Sequence, residues 1–207
     1  MKHISATKIR LMSVAMDLMW ENSYMAVGVD DICKRAGVAK GSFYFAFPSK
    51  ADLTIAALEE RWKTRRPLLD HLFSPLVPPL QRIENYARAV LADQRYKFET
   101  FGKVAGCPFA SIGSEISTQN EKIRQRIEAM MKDDHRYFEG LVQDLSRAGF
   151  IEVDDSAELA EELCNYVIGV LVQAKIDNSL HHVENLEHGI LRHLGIVGQH
   201  VLAQVAA

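Results

Sequence analysis

The stretch GVAKGSFYFAFPSK, residues 37–50, decides how the chain folds around it. Gly37 and Gly41 open this stretch and Pro48 closes it, so there is room for only a short helix. A helix of that length is not stable alone in water. Its Lys40 and Ser42 are polar where a buried segment would be apolar. We therefore expect a short helix that neighbouring helices hold in place and that presents polar and aromatic side chains to a partner.

Composition sets the limits for the whole chain. Its 207 residues are 48% hydrophobic, which is enough for a packed core and one or two domains. The net charge is −3, but residues 1–66 carry 11 Lys+Arg against 7 Asp+Glu, whereas residues 67–207 carry 13 against 20. A basic N-terminal part on an acidic remainder indicates that this part meets a polyanion. Ordinary surface variation would produce the same imbalance.

The cysteines and the hydropathy indicate the compartment. Cys33, Cys107 and Cys164 are too few and too far apart for a disulfide framework or a zinc cluster. The chain begins without a basic and apolar leader, and no apolar run is long enough to cross a membrane. We therefore expect a cytoplasmic protein with reduced thiols and no membrane contact.

Signals for metal binding and for catalysis are weak. Four histidines cluster near the C-terminus, but none of their spacings is the i, i+3 or i, i+4 that a helical metal pair needs: His181, His182, His188 and His193. No phosphate-binding glycine loop or nucleophile elbow is present. We expect no metal, no cofactor and no catalytic residue, and hence no enzyme.

Apolar periodicity predicts an all-α fold. Ser49 and Asp52 form a capping-box pattern at the start of one helix, Pro67 predicts a kink or break within it, and a later helix is interrupted near Asp133–Asp134. FIEV at 150–153 is the longest strand-like pattern. The expected helices cover 7–24, 29–37, 39–47, 49–73, 79–102, 108–117, 118–149, 155–179 and 181–205.

Two of these helices predict self-association. The middle of helix 155–179, LCNYVIGVLVQA, is apolar nearly all round, which is typical of a helix buried on more than one side. Helix 181–205 has a similarly broad apolar face, formed by Leu186, Ile190, Leu191, Leu194, Val197, Val201 and Val205. Together with their symmetry mates these helices would form a four-helix dimer interface. Packing within one chain is the alternative.

The first three helices have the order of a helix-turn-helix. Gly37 permits the left-handed backbone that the tight turn needs, and Val38 can fill the core beneath it. The third helix then offers its N-terminal residues to a DNA groove, and the start of the first helix, at Thr7 and Lys8, can add phosphate contacts.

From these residues a family resemblance follows. VDDICKRAGVAKGSFYFAFPSKADL, residues 29–53, resembles the DNA-binding signature of the TetR family of bacterial transcriptional repressors, and the similarity runs over about residues 7–60. The resemblance implies a homodimer, an N-terminal helix-turn-helix on a palindromic operator, and a C-terminal ligand or signal domain. We expect a DNA-binding domain over 1–50 and a sensor and dimerisation domain over 51–207, linked by helix 49–73.

The resemblance implies that Lys40, Ser42, Tyr44, Phe45 and Lys50 bind DNA, in addition to Thr7 and Lys8 at the start of the first helix. The chain departs from the family pattern in two places. Gly28 occupies the N-cap of the second helix, where the family often has Ser or Thr, and Phe45 and Ala46 are apolar where a polar ring is common. Phe45 would contact a thymine methyl or serve as surface packing. Phe43 and Phe47 are expected in the core.

The segment KVAGCPFASIGSEIS, residues 103–117, carries the candidate sensor. Pro108 suits the first position of a helix, which puts Cys107 at the N-cap, where the helix dipole stabilises a thiolate. This Gly-Cys motif is similar to that of a TetR subgroup in which the cysteine senses electrophiles and oxidants. Lys175, on an apolar stretch, would activate the thiolate. Alternatively, Cys107 is a small buried residue and Lys175 extends to solvent.

We therefore expect a repressor that leaves its operator when Cys107 is modified. Movement near residues 107–117 would shift helix 49–73 and change the spacing of the two recognition helices. One alternative is release by a noncovalent apolar ligand in a C-terminal pocket. Another is a helical module that binds proteins or acts as an enzyme.

Overall fold

The computed structural model describes residues 5–196. Within that range the chain is helical and has no strand, which confirms the all-α prediction. The helices are α1 (Ala6–Glu21), α2 (Val29–Ala36), α3 (Lys40–Ala46), α4 (Lys50–Leu72), α5 (Pro79–Phe101), α6 (Pro108–Ile116), α7 (Glu121–Arg147), α8 (Ser156–Asp177), α9 (His181–Glu184) and α10 (Leu186–His193).

Local capping residues set many of these bounds. Ser49 precedes α4, and its hydroxyl accepts a hydrogen bond from the Asp52 backbone N–H at 3.1 Å while donating to the Asp52 carboxylate at 2.6 Å. The Asp155 carboxylate accepts from the first turn of α8. Gly37 ends α2 in the left-handed conformation, with φ 62°. The capping prediction at Ser49 and the glycine stop at Gly37 are both confirmed.

The chain divides into two compact units: Met1–Pro67 with Cys107–Met131, and Leu68–Gly106 with Lys132–Ala207. The first unit contains α1, α2, α3 and α6, and α1 packs against the other three. In the same unit, the Trp62 ring on α4 meets the Phe109 ring on α6 edge to face, with centroids 6.2 Å apart. The boundary that the sequence analysis puts at residue 50 stays a prediction.

The second unit contains α5, α8, α9 and α10, with α10 packed on both α5 and α8. An aromatic cluster of Phe73, Tyr86 and Phe138 has ring centroids 5.2–5.3 Å apart. The buried Arg82 guanidinium donates to Asp144 at 2.6 Å and to the Val77 carbonyl at 2.7 Å, so its charge is compensated.

The predicted interruption near Asp133–Asp134 is wrong, and at Pro67 the helix has no break, so a kink there stays a prediction. α4 runs through Pro67 without a break. Because Lys63 and Pro67 are both exposed, water can solvate the Lys63 carbonyl that the proline leaves without its helical donor. α7 is continuous through Asp133, which pairs with Arg136 one turn later at 3.0 Å.

The helix expected over 181–205 differs as well. It is divided at Asn185 into α9 and α10, and α10 ends at His193 because Gly195 turns left-handed, with φ +72°. Val197, Val201 and Val205 lie outside the described residues. FIEV at 150–153 is irregular. Among residues 5–196, no helix has both the length and the apolar character of a membrane span.

Candidate nucleic-acid interface and sensor segment

A tight turn joins α2 to α3. The Val38 backbone N–H donates to the Cys33 carbonyl at 3.0 Å, which closes the turn around Gly37. On the inner side of α3, Phe43 is fully buried and Phe47 is 6% exposed, so both core predictions are confirmed. These rings fix how α3 is rotated, and its opposite side faces solvent as a consequence.

We call that opposite side the recognition face, and its residues are Lys40, Gly41, Ser42, Tyr44 and Phe45. All five are exposed. Tyr44 is 50% exposed and its ring lies edge to face on Phe43, whereas Phe45 is 96% exposed. The predicted base-contacting and phosphate-contacting residues of α3 are therefore presented together on one short helix.

Lys40 has an acidic neighbour on α2 that no local sequence pattern predicts. Its ammonium lies 2.7 Å from the Asp30 carboxylate on α2, and both side chains are well exposed. The hydrogen bond to Asp30 and the charge of Asp30 raise the pKa of Lys40, which therefore stays protonated at neutral pH. Asp30 thus competes with DNA phosphate for the Lys40 ammonium.

Thr7 and Lys8 lie in the first turn of α1. Ser5 is the N-cap, and its hydroxyl accepts from the Lys8 backbone N–H at 3.3 Å. The Lys8 ammonium sits 5.3 Å from the centroid of the Phe47 ring, immediately after α3. The first turn of α1 and the end of α3 are therefore neighbours, as a shared phosphate-contacting edge requires.

Lys50 is engaged within the protein. Its ammonium donates to the Tyr24 backbone carbonyl and lies 4.0 Å from the centroid of the Tyr24 ring. Burial lowers the pKa of Lys50, and the Glu115 carboxylate opposes that shift. The Lys50 ammonium is thus directed to Tyr24, and its predicted phosphate contact stays a prediction.

Glu115, on α6, also reaches the turn between α1 and α2. Its carboxylate accepts a hydrogen bond from the Met25 backbone N–H at 3.1 Å. The helix that follows Cys107 is thus connected to the turn that leads into the helix-turn-helix. No local sequence pattern predicts this contact, because Glu115 lies 90 positions from Met25.

Cys107 is the N-cap of α6 and Pro108 is its first residue, as predicted. The Cys107 side chain is half-buried, whereas Cys33 and Cys164 are buried core residues. All three thiols are reduced and none is in a disulfide. Burial, reinforced by the Asp30 charge and opposed by Lys40, raises the pKa of the Cys33 thiol.

The residue before the cysteine is held by a buried amide. Gln94, 3% exposed, accepts from the Gly106 backbone N–H at 2.8 Å and donates to the Gly106 carbonyl at 3.3 Å. A signal for Gln94 was present in the sequence, because it lies on the same α5 stripe as the apolar Ile83 and Ala87. A glutamine on such a stripe indicates a backbone partner.

The backbone conformation and close packing at position 106 favour glycine over a residue with a side chain. Its φ is +70°, and a Cβ added there would lie 3.1 Å from the Leu171 carbonyl oxygen and 3.3 Å from Lys175 Cδ. The Lys175 stem therefore packs on Gly106, and Lys175 is partly exposed. The pairing of its ammonium with the Cys107 thiolate stays a prediction.

An open cavity of about 500 Å³ lies in the second unit. Its walls include the loop Pro75–Pro79 and the charged side chains of Arg82, Asp144 and Arg147. This mixed lining does not match the apolar pocket expected for a noncovalent apolar ligand. Among residues 5–196, no cluster of His, Cys, Asp and Glu has the arrangement of a metal site.

These features define a helix-turn-helix DNA-binding protein. They are the short glycine turn, the buried side that fixes the rotation of α3, and the exposed basic and aromatic face of α3. The family described as bacterial regulatory proteins, tetR family, matches residues 11–57, and the family described as tetracyclin repressor-like, C-terminal domain, matches residues 79–190. The chain belongs to the tetR family of bacterial regulators.

The relatives of this chain are transcriptional regulators rather than enzymes. Transcriptional regulator AcuR of Cereibacter sphaeroides is 28% identical over 81% of this chain and 75% of its own length. HTH-type transcriptional repressor NemR of Escherichia coli is 27% identical over 86% of this chain and 89% of its own length.

Solved structures share the fold over nearly the whole chain. A regulatory protein TetR from Rhodobacter sphaeroides aligns with a TM-score of 0.81 at 26% identity, covering 91% of this chain and 99% of that one. The reduced form of E. coli NemR aligns with a TM-score of 0.77 at 21% identity, covering 93% of this chain and 100% of that one.

Proposed function

We propose that this protein is a homodimeric transcriptional repressor that binds a palindromic operator and leaves it when Cys107 is modified by an electrophile or oxidant. The DNA-binding part rests on the recognition face of α3 and on membership of the family. The release part rests on one observation above all: α6, which begins directly after Cys107, is hydrogen-bonded to the turn before the helix-turn-helix through Glu115 and Met25.

The dimer is supported by the outward side of α8. Its buried side carries Leu163, Val167 and Leu171. On the other side Val172 is 40% exposed and Ile176, one turn later, is 70% exposed. Two exposed β-branched side chains at i and i+4 indicate a partner surface, because their burial against a second subunit would be favourable. We assign this side of α8 and the segment 181–205 to the dimer interface.

The proposed release chemistry needs only the thiol and a reagent. With an unsaturated carbonyl compound, the Cys107 thiolate forms a C–S bond to the β-carbon, and the resulting enolate takes a proton from water. With a peroxide, the sulfur gains one oxygen and the peroxide leaves as water or an alcohol. In both cases the side chain at the N-cap position of α6 becomes larger, and we expect the first turn of α6 to shift to accommodate it.

The consequence for DNA follows from elements of the first unit. A shift of α6 changes the distance between Glu115 and Met25. It also moves the Glu115 carboxylate, whose charge partly offsets the lowering of the Lys50 pKa by burial. Because the two recognition helices of a dimer must meet major grooves about 34 Å apart, a small rotation of each is sufficient to weaken binding. Only a few kcal/mol of bias are needed.

The test is fluorescence anisotropy on duplex DNA from upstream of the gene, with and without N-ethylmaleimide. We expect the reagent to release the wild-type protein and to leave Cys107→Ser bound. Cys33→Ser is the matched control and should be released like the wild type, because Cys33 is buried.

Three outcomes separate the parts of the proposal. Release of Cys107→Ser to the same extent as wild type contradicts the role of Cys107. Retention of both proteins by DNA points to a noncovalent ligand. Absence of salt-sensitive, sequence-dependent binding contradicts the repressor itself.

A further inference from the structure

Three phenylalanines lie on or next to α3, and one of them is exposed. Phe43 is fully buried and Phe47 is 6% exposed, whereas Phe45 is 96% exposed. The first two hold α3 in place. Phe45 contributes nothing to that packing, yet it puts a full aromatic ring into water on the helix that faces DNA.

The surroundings of Phe45 on α3 are small. Gly41 precedes it by four residues and Ser42 by three, so both are its neighbours on the helix surface. A Cβ added to Gly41 would have nothing within 4 Å. There is therefore an open space beside the Phe45 ring, bordered by a hydroxyl and by bare backbone.

The larger polar groups lie along another edge of the helix. Lys40 pairs with Asp30, and Tyr44 leans on Phe43. Tyr44 follows Lys40 by four residues on α3, so the two side chains lie on the same edge of the helix. Thus α3 has a polar edge suited to phosphate, formed by Lys40 and Tyr44, and beside it an apolar surface formed by Gly41 and Phe45.

In the major groove, the base edges present hydrogen-bond donors and acceptors, and the thymine C5 methyl is the apolar group. The phenylalanine side chain has no hydrogen-bond donor or acceptor with which to read the polar groups of the base edges. We propose that Phe45 reads a thymine methyl in each operator half-site and that Gly41 leaves the room in which the methyl and its base are received. This inference rests on the proposed operator binding and names what that site recognises.

The test replaces thymine by uracil, which removes the methyl and leaves the base pair's hydrogen bonds intact. An operator is first selected with the wild-type protein from a library of random duplexes, and each thymine of one half-site is then replaced in turn. We expect one position at which uracil weakens wild-type binding about fourfold, the value for burial of one methyl-sized group. Replacement in both half-sites should weaken binding about fifteenfold.

Variants assign the effect to the ring. Phe45→Ala should bind the thymine and uracil operators equally, whereas Phe45→Leu should keep part of the preference because it keeps an apolar contact. Leu76→Ala is the matched control, since Leu76 is 92% exposed but lies on the loop between α4 and α5, and it should keep the full preference. Circular dichroism checks that each variant is folded, which we expect because Phe45 is outside the core.

Two results would overturn the inference and leave the repressor intact. One is specific binding that no uracil replacement weakens, as for a ring that wedges between base pairs. The other is an equal uracil effect in wild type and Phe45→Ala. Failure of the wild-type protein to select any sequence would instead contradict the proposed function, and the inference with it.

Discussion

The Met25 backbone N–H donates a hydrogen bond of 3.1 Å to the Glu115 carboxylate, and this bond ties α6 to the turn after α1. The adjacent residue of the same turn, Tyr24, accepts from the ammonium of Lys50, the first residue of α4. One short turn is thus held by the helix that Cys107 caps and by the helix that follows α3. A displacement of α6 has a direct route to the DNA-binding helices.

Substitution of Glu115 tests this route. We expect Glu115→Ala to lower the free energy of unfolding by about 1 kcal/mol, the net value of one hydrogen bond. We also expect the ratio of DNA dissociation constants with and without N-ethylmaleimide to fall severalfold, since the coupling loses a contact. Urea unfolding and anisotropy measure the two effects. Glu187→Ala, an exposed glutamate of α10, should change neither, and an unaltered ratio in Glu115→Ala would exclude this route.

The Lys40–Asp30 pair predicts opposite effects for its two members. Lys40→Ala should weaken binding to operator and random DNA alike and reduce the salt dependence by about one charge per subunit. Asp30→Asn should strengthen binding severalfold, because Lys40 no longer has a competing carboxylate 2.7 Å away. Salt titrations by anisotropy give both numbers, with Asp154→Asn as the control for a lost exposed charge. Weaker binding by Asp30→Asn would mean that the pair orients Lys40 for DNA.

Gly106 and Gly140 form a matched pair for stability. Gly106→Ala should cost about 2 kcal/mol or more, because φ is +70° and the new methyl meets the Leu171 carbonyl. Gly140→Ala, inside α7 with open space at its Cβ, should be neutral or stabilise the protein by roughly 0.5–1 kcal/mol. Urea unfolding of both variants tests the difference. Equal stability would mean that the segment before Cys107 adapts to a side chain.

The predictions that the structure confirms are those that depend on residues close together in the sequence. The glycine stop at Gly37, the cap at Ser49 and the burial of Phe43 and Phe47 depend on residues within one or two turns, and all are confirmed. The helix continues through Pro67 because solvent can reach the carbonyl that proline leaves without a donor, and the local rule for proline takes no account of solvent.

The connections at the sites could not be predicted in this way. Lys50 and Tyr24 are 26 positions apart, and Glu115 and Met25 are 90 apart, so their contacts depend on how the helices pack. No periodicity encodes a bond between a side chain and a distant backbone group. Gln94 is an intermediate case, since its place on an apolar stripe signals a buried partner without identifying Gly106.

The exposed apolar side of α8 predicts a variant that remains folded but no longer associates. Ile176→Asp should leave the helical circular dichroism signal unchanged and convert a dimer to a monomer, because each subunit would bury an unpaired carboxylate at the proposed interface. Light scattering after gel filtration measures the mass. Leu76→Asp, which also replaces a highly exposed apolar residue, should stay dimeric. A dimer of Ile176→Asp would move the interface away from this side of α8.

We expect the three cysteines to react with N-ethylmaleimide at different rates, according to how exposed each thiol is. Cys33 and Cys164 are 6% and 4% exposed, and burial raises the pKa of Cys33, so less of it is thiolate at neutral pH. Cys107 is half-buried at a helix N-cap. Mass spectrometry after short exposure to N-ethylmaleimide should therefore find Cys107 labelled roughly tenfold faster or more.

Cys107→Ser should remove the fast phase, Cys33→Ser should keep it, and urea should equalise the labelling rates of the three sites. Because the raised pKa limits Cys33, its labelling should accelerate as the pH rises towards that pKa. Native labelling of Cys33 at the rate of Cys107 would show that the helix-turn-helix core opens as readily as the sensor segment.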